Sequence, residues 1–273
     1  MQKSFGTPGP TSMYVEIASG EVHVRAAEVT ETLVDVSGKD AGEVVVESRG
    51  EQIVVIGPQR RGGFLGSGHS LHVTVVMPTD SELATKLGSA DLVVSGRLSA
   101  TRVRSGSGDV QLDVVDSEAD LESGSGDITV EEVTGNLRAR TGSGEVSVER
   151  LGGSASVSTG SGDVEIGSAT GDVQAKTGSG DLRVRDAKQD VSLSTASGDL
   201  TVDLISAGQL QAKNVSGDIR VGVPEGVPVW TDISTVTGAV ESDLDGAGQP
   251  VDGQAFLTLR AKTVSGDIYL EQR

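Results

Sequence analysis

Residues 179–196 read SGDLRVRDAKQDVSLSTA and are one copy of a segment that repeats through the middle of the chain. The Ser-Gly-Asp/Glu triad at its start returns every 18 residues, with the acidic residue at Asp109, Asp127, Glu145, Asp163, Asp181 and Asp199. The triad also ends at Glu21, Asp218 and Asp267, off the strict count. A fixed period near 20 residues indicates a repeat architecture in which each copy stacks on the next.

Each copy contains two short segments in which apolar and polar residues alternate, as at Leu182 and Val184 and again at Val191 and Leu193. A period of two is typical of strands. The second turn follows the first by nine residues, so each coil has two strand-and-turn halves. Because parallel crossovers favour a right-handed path, the predicted fold is all-β: a right-handed single-stranded β-helix (β-solenoid) with about 18-residue coils and irregular terminal β caps.

The chain divides into parts that follow this period to different degrees. We predict a flexible N-terminus over 1–11, an irregular N-terminal part of the solenoid over 12–88 with a loop at 57–70, a regular repeat over 89–221, and C-terminal coils and a cap over 222–273. The last strand is predicted over 255–270. Trp230, next to Pro228 in a bend, is predicted to plug an open end of the solenoid.

Composition excludes several classes of function. Acidic residues outnumber basic ones by 40 to 22, a formal net charge of −18, which repels phosphate backbones, so we expect no nucleic-acid partner. The chain has no cysteine, so cysteine usage does not indicate an oxidising or a reducing compartment. No apolar run is long enough for a signal peptide or a transmembrane segment. We therefore expect a cytoplasmic protein, or an extracellular one only if a leader is missing from the sequence.

Stacked coils place identical side chains above one another, about 4.8 Å apart. One such column is a glycine at each corner, which we attribute to positive φ in a tight turn. A second column is threonine, in phase with the inward apolar residues, whose hydroxyls are expected to bond each other or the corner backbone. The predicted columns are Gly108, Gly126, Gly144, Gly162, Gly180, Gly198 and Gly217, and Thr141, Thr159, Thr177 and Thr195.

The repeated T-x-S-G-D-[VLI]-x-V segments, the half-repeat G-[DN]-[VL]-x-A-x-T, the V-P-x-G at 223–226 and the final TVSGDIYL at 263–270 resemble those of a bacterial putative-adhesin family of β-solenoid proteins, similar to the head-GIN type. The resemblance covers Met13 to Leu270. It implies a right-handed β-helix without established catalysis and, for some members, an association with cell-envelope stress.

The column of carboxylates has two interpretations. Neighbouring charges about 4.8 Å apart repel by roughly 0.9 kcal/mol per pair in water, so a divalent cation bound by Asp109, Asp127, Asp163, Asp181 and Asp199 would relieve the repulsion, as in a β-roll. Here the aspartate directly precedes an inward apolar residue and should face solvent. We therefore favour the second interpretation, in which these side chains cap backbone N–H groups at the corners.

A row of basic residues five positions before the acidic column is a candidate partner surface. It could bind an anionic polymer such as a wall glycan. The interpretation that we favour is that alternate placement keeps these charges about 9.6 Å apart on a solvated face and so relieves their repulsion. Phe64, in the 57–70 loop, is a further candidate contact, and partner choice could also use the loop at 244–253. The basic residues are Arg104, Arg140, Lys176, Lys213 and Lys262.

No nucleophile elbow, phosphate loop or metalloprotease motif occurs in the sequence. We therefore predict a non-enzymatic scaffold without a cofactor, which binds or displays a surface to a protein or cell-envelope component. The alternatives are a cytoplasmic self-assembling scaffold joined through its terminal strands and a cation-responsive module. We expect a monomer or limited oligomer, with a filament as the alternative because residues 255–273 form a good strand pattern.

Overall fold

The computed structural model describes residues 1–58, 70–244 and 256–273, and it consists of two compact units, Met1–Gly135 and Asn136–Arg273. Over these ranges the chain is all-β apart from one short 3₁₀ helix, Ala41–Glu43. The predicted all-β solenoid is confirmed: within each unit, strands of successive coils pair in parallel and in register. The predicted loops at 57–70 and 244–253 lie largely outside the described residues.

The first unit combines long parallel strands with three antiparallel pairs, β1 with β3, β3 with β6, and β4 with β5. Strand β1 lies within the predicted flexible segment 1–11, and pairing with β3 orders its backbone. The strands of this unit are β1 (Gln2–Gly6), β2 (Ser12–Ala27), β3 (Glu31–Ser37), β4 (Val45–Arg49), β5 (Gln52–Ile56), β6 (Leu71–Pro78), β7 (Glu82–Leu98), β8 (Thr101–Ser105), β9 (Val110–Val115), β10 (Ala119–Ser123) and β11 (Ile128–Val133).

The second unit contains the regular coils, each built from two strands. They are β12 (Leu137–Thr141), β13 (Val146–Leu151), β14 (Ala155–Thr159), β15 (Val164–Ala169), β16 (Val173–Lys176), β17 (Leu182–Ala187), β18 (Val191–Ser194), β19 (Leu200–Ile205), β20 (Gly208–Lys213), β21 (Ile219–Val223), β22 (Val229–Ser234), β23 (Val240–Ser242), β24 (Leu257–Lys262) and β25 (Ile268–Gln272). Even-numbered and odd-numbered strands form separate parallel ladders.

Alternation along each strand places the core between these ladders. Leu182, Val184 and Leu193 are about 1% exposed, while the residues between them face outward. Directly stacked partners share this direction, as Val164 does with Leu182. The result is a thin core of branched aliphatic side chains, which suits a sheet of β-branched residues.

The end of the chain does not follow sequence order in space. Strand β24 lies between β20 and β22, and β25 lies between β21 and β23. The order of the last coils has a hydrophobic reason: Leu257, Leu259 and Ile268 are completely buried by neighbours on both sides, whereas the more polar coil of β22 and β23 takes the edge. The prediction of a single last strand over 255–270 is wrong, because the corner at Ser265 separates two strands, β24 and β25, in this range.

Candidate functional site

The aspartate column connects successive coils through the backbone. The N–H of Asp181 donates to Oδ1 of Asp163 at 2.8 Å, and the N–H of Asp199 donates to Oδ1 of Asp181 at 2.7 Å. In the first unit the N–H of Asp127 donates to Oδ1 of Asp109 at 3.0 Å. These contacts match the capping interpretation, because each Oδ1 carries a corner N–H.

The column continues to the edge of the second unit and stops where no further coil follows among the described residues. Asp267 receives the N–H of Ala239 on Oδ1 at 2.7 Å. Its Oδ2 accepts the Tyr269 hydroxyl at 3.1 Å, and this hydrogen bond raises the pKa of Tyr269. Arg220, which pairs with Asp218 at 2.9 Å, lies over the Tyr269 ring. Over the described ranges, no group of three His, Cys, Asp or Glu residues is placed to hold a metal ion.

The threonine column bonds the corner backbone, which was one of the two predicted arrangements. The Thr159 hydroxyl donates to the Gly144 carbonyl at 3.3 Å and accepts the Gly162 N–H at 3.0 Å. Thr177 donates to the Gly162 carbonyl at 3.2 Å. Since Thr159 and Thr177 are only 8% exposed, these hydroxyls satisfy corner groups that water does not reach.

The predicted cause of the glycine column is wrong for four of its seven glycines. Gly180, Gly198 and Gly217 have positive φ, but Gly108, Gly126, Gly144 and Gly162 do not. At Gly162 the requirement is space, because a Cβ would lie 1.9 Å from the Gly144 carbonyl oxygen. Tight stacking of the coils therefore demands glycine at that corner whatever its φ.

The predicted basic row is present, but its spacing changes at the C-terminal end. Arg104 lies 3.5 Å from Glu122, and Lys176 has Ser158 and Ser194 as direct partners, as the alternating pattern predicts. Lys213, however, is the direct partner of Lys262. Alternate spacing is wrong there because β24 inserts next to β20. Arg140 is exposed on β12 and faces Ser158, and Phe64 lies outside the described residues.

Beside the two lysines stands a column of exposed valines that the sequence analysis missed. Val215, Val264 and Val236 are 54%, 47% and 76% exposed. The bridges Ser216 to Ser265 and Ser265 to Thr237 stack these corners directly. Together, these contacts place three apolar side chains in one outward row.

The valine column does not extend to the coils that have glycine at the position of Val215, directly before the Ser-Gly-Asp triad. At Gly124 and Gly160 a Cβ would lie 2.3 Å from a carbonyl oxygen of the preceding coil. The corner changes conformation at Gly180, the first of the five corner glycines with positive φ in the second unit. The change of residue, from Gly178 through Ala196 to Val215, is the signal that could have located this surface from the sequence.

Trp230 does not plug the solenoid. It faces outward from β22, is 52% exposed, and has the Arg260 guanidinium 5.7 Å from its ring centroid. The prediction failed because Trp230 is out of phase with the inward positions Val229 and Thr231, which are in register with the buried Leu257 and Leu259. Its ring instead extends the outward surface formed by the lysines and valines.

We call this outward surface of β20, β24 and β22 and their following corners the C-terminal patch. Six of the nine large apolar side chains exposed among the described residues lie between 215 and 264, so exposed apolar area is concentrated near it. Asp232 pairs with Lys262 at 3.2 Å, which leaves the patch with an excess of positive charge. The C-terminal patch consists of Lys213, Val215, Trp230, Asp232, Val236, Arg260, Lys262 and Val264.

The first unit has a cavity of about 540 Å³ lined in part by Phe5, Pro8, Glu51 and Glu82. Asp80, also in its lining, forms an ion pair with Arg97 at 2.7 Å. Its described lining residues supply serine and threonine hydroxyls and carboxylates, and they include no histidine, lysine or cysteine.

A polar network on β2 and β7 gives the clearest pKa shifts in the first unit. Burial, together with a hydrogen bond to Glu16, raises the pKa of Tyr14 to about 12. Lys86 bonds Glu16 at 2.8 Å and lowers the pKa of that carboxyl. At neutral pH, Tyr14 is therefore a protonated phenol and Glu16 an ionised carboxylate. This favours a structural role for the contact between β2 and β7.

Among residues 1–58, 70–244 and 256–273, no helix has the length and apolar character needed to cross a bilayer.

Comparison with known proteins connects this fold to a family. Residues 11–271 match the family model described as Toastrack DUF4097. The curated proteins contain no match. The chain is similar to solved structures of a putative adhesin from Bacteroides fragilis (12% identity, 98% of this chain and 96% of that chain, TM-score 0.37), a putative adhesin from Parabacteroides merdae (12%, 99% and 95%, 0.42) and a putative lipid binding protein from Parabacteroides distasonis (13%, 99% and 96%, 0.44). Because the family model spans nearly the whole sequence, the chain belongs to the Toastrack DUF4097 family, as its resemblance to the bacterial putative-adhesin β-solenoids led us to expect.

Proposed function

We propose that the protein is a non-enzymatic scaffold that binds an anionic protein or cell-envelope component through the C-terminal patch. The observation that carries this proposal is the direct pairing of Lys213 with Lys262 beside three stacked, exposed valines. An ordered surface of this kind can act by geometry alone, without a reacting group.

The charge of the C-terminal patch is opposite to that of the chain. Its strands carry Lys213, Arg260 and Lys262 against Asp232. In the following corners, the carboxylates of Asp218 and Asp267 hydrogen-bond Arg220 and Tyr269. The whole chain, in contrast, has a formal charge of −18. An anionic partner is therefore attracted to this surface and repelled elsewhere, which orients its approach.

The apolar part of the patch supplies contact area. Trp230 and the valine column present large side chains that are about half exposed or more. Aromatic side chains of this kind are enriched among the residues that dominate binding energy. Since each strand beneath them is paired in register, little conformational freedom is lost when a partner docks.

The two alternative functions have unequal support. A cation-responsive module is disfavoured because Oδ1 of Asp163 and of Asp181 already accepts a backbone N–H. Self-assembly is favoured by a specific edge of the second unit, which is considered below. A role in envelope stress is supported by the family resemblance alone.

Binding to immobilised anionic polymers, poly-glutamate and an anionic wall glycan, tests the proposal. We expect the double variant Lys213→Glu/Lys262→Glu to weaken binding by about tenfold or more, because two paired attractive charges become repulsive. The matched control, Lys39→Glu/Lys188→Glu, makes the same change of net charge at exposed residues that are not part of the patch and should bind like the wild type. Equal losses in both variants, or no binding by the wild type, would contradict the proposal.

A further inference from the structure

The coil formed by β22 and β23 has one side on which no described residue pairs with it. Among the described residues these strands pair only with β24 and β25. Val229, Thr231 and Ile233 are in register with the inward residues Leu257, Leu259 and Ala261 of the neighbouring coil. The neighbours are 0% exposed, whereas none of the three edge residues is fully buried.

Open edges of sheets present unpaired N–H and C=O groups that accept another strand, and proteins usually protect them with lysine, proline or a bulge. Residues 229–234 read VWTDIS and contain neither lysine nor proline. The one charge on the strand, Asp232, is paired with Lys262 on the adjacent strand. This edge is thus a competent template for strand addition.

From this geometry we propose that β22 pairs antiparallel with β22 of a second copy of the chain, centred on Thr231. The pleat requires a centre on a residue, and the side chains that then lie opposite each other favour Thr231. Centring on Thr231 places Val229 opposite Ile233 of the second copy, which extends the core across the interface. Centring on Asp232 is unfavourable because it places the two Asp232 carboxylates opposite each other. Centring between two residues is unfavourable because it places the inward side chains of one copy opposite the outward side chains of the other.

A two-fold arrangement uses the same edge in both copies and therefore closes at a dimer. It also predicts an effect of salt: each copy carries a formal charge of −18, so low ionic strength should weaken the dimer and added salt should strengthen it. Trp230 and Asp232 of the C-terminal patch lie on the paired strand, whereas Lys213 and Lys262 lie on β20 and β24. The lysine variants therefore test the proposed function without replacing a residue of β22.

Sedimentation velocity over a concentration series measures the stoichiometry. We expect a transition from monomer to dimer that stops at the dimer. Trp230 is the only tryptophan of the chain, and its emission should shift to shorter wavelength over the same concentrations as the ring becomes shielded.

Two variants locate the interface. Thr231→Lys places a charge at its centre and should raise the dimer dissociation constant by about a hundredfold. The matched control is Thr129→Lys at an exposed position of β11, which should dimerise like the wild type. Because the chain has no cysteine, Thr231→Cys should give a single dimeric product with a short bis-maleimide reagent, a result that does not depend on the folding of the lysine variant.

A monomer at every attainable concentration overturns the proposal, as does growth beyond the dimer. Dimerisation of a folded Thr231→Lys variant with wild-type affinity also overturns it. A monomeric wild type that still binds anionic polymers would separate failure of the dimer from failure of the proposed function.

Discussion

Replacing Gly162 by alanine is expected to lower the free energy of unfolding by about 3 kcal/mol, the range of an overpacked core. An added Cβ would lie 1.9 Å from the Gly144 carbonyl oxygen and 2.6 Å from its carbonyl carbon, and both atoms belong to backbone that is held by the coil below. The structure must therefore separate two coils to accept one methyl group. Denaturant unfolding followed by far-ultraviolet circular dichroism measures the loss.

The matched control is Gly42→Ala, where an added Cβ meets nothing within 4 Å. Gly162 lacks a positive φ, so alanine would be tolerated or slightly stabilising if backbone conformation alone determined the outcome. Equal stability of Gly162→Ala and the wild type would show that the coils are not stacked this closely.

Replacing Thr159 by valine is expected to cost about 2 kcal/mol, the range for leaving buried polar groups without partners. Valine keeps the shape of the side chain but removes the oxygen that accepts the Gly162 N–H at 3.0 Å and donates to the Gly144 carbonyl at 3.3 Å. Thermal unfolding and denaturant titration measure the change.

Thr201→Val serves as the control, because Thr201 faces outward on β19, in the other ladder of the same unit, and is partly exposed. It should change stability by less than about 0.5 kcal/mol. If the two valine variants were equally stable, the threonine column would contribute packing volume alone and its hydrogen bonds nothing measurable.

The sequence alone was sufficient for the fold because the repeat imposes the same local pattern many times. Alternation at Leu182, Val184, Val191 and Leu193 identifies the inward residues, and the structure buries all four. The capping role of Asp181 followed from its position immediately before an inward residue, which places its carboxylate on the outside of the corner beside the next coil.

The order of the last coils could not be predicted in the same way. Periodicity specifies which residues point inward. It does not specify which coils lie side by side when an insertion of about ten residues separates two coils in the sequence. Ala239 did carry a signal. The coil at the edge has alanine where the other coils have aspartate or glutamate. Among the described residues, no further coil stacks on it, so an aspartate there would have no backbone N–H to cap.

The C-terminal patch was missed for the same reason. The predicted alternation placed Lys213 and Lys262 about 9.6 Å apart, and no prediction was made for Val215, Val236 and Val264. Only the insertion of β24 beside β20 brings them together.

Cross-linking in the cysteine-free chain tests this placement most directly. Lys213 and Lys262 are direct partners on adjacent strands, whose spacing of about 4.8 Å suits a disulfide. Lys213 and Ser234 lie two strands apart, at about 9.6 Å, which is too far. We expect Lys213→Cys/Lys262→Cys to form an intramolecular disulfide under mild oxidation, seen by mass spectrometry of the linked peptides, and Lys213→Cys/Ser234→Cys to remain reduced. A disulfide in the second variant and none in the first would contradict the strand order on which both the C-terminal patch and the open edge depend.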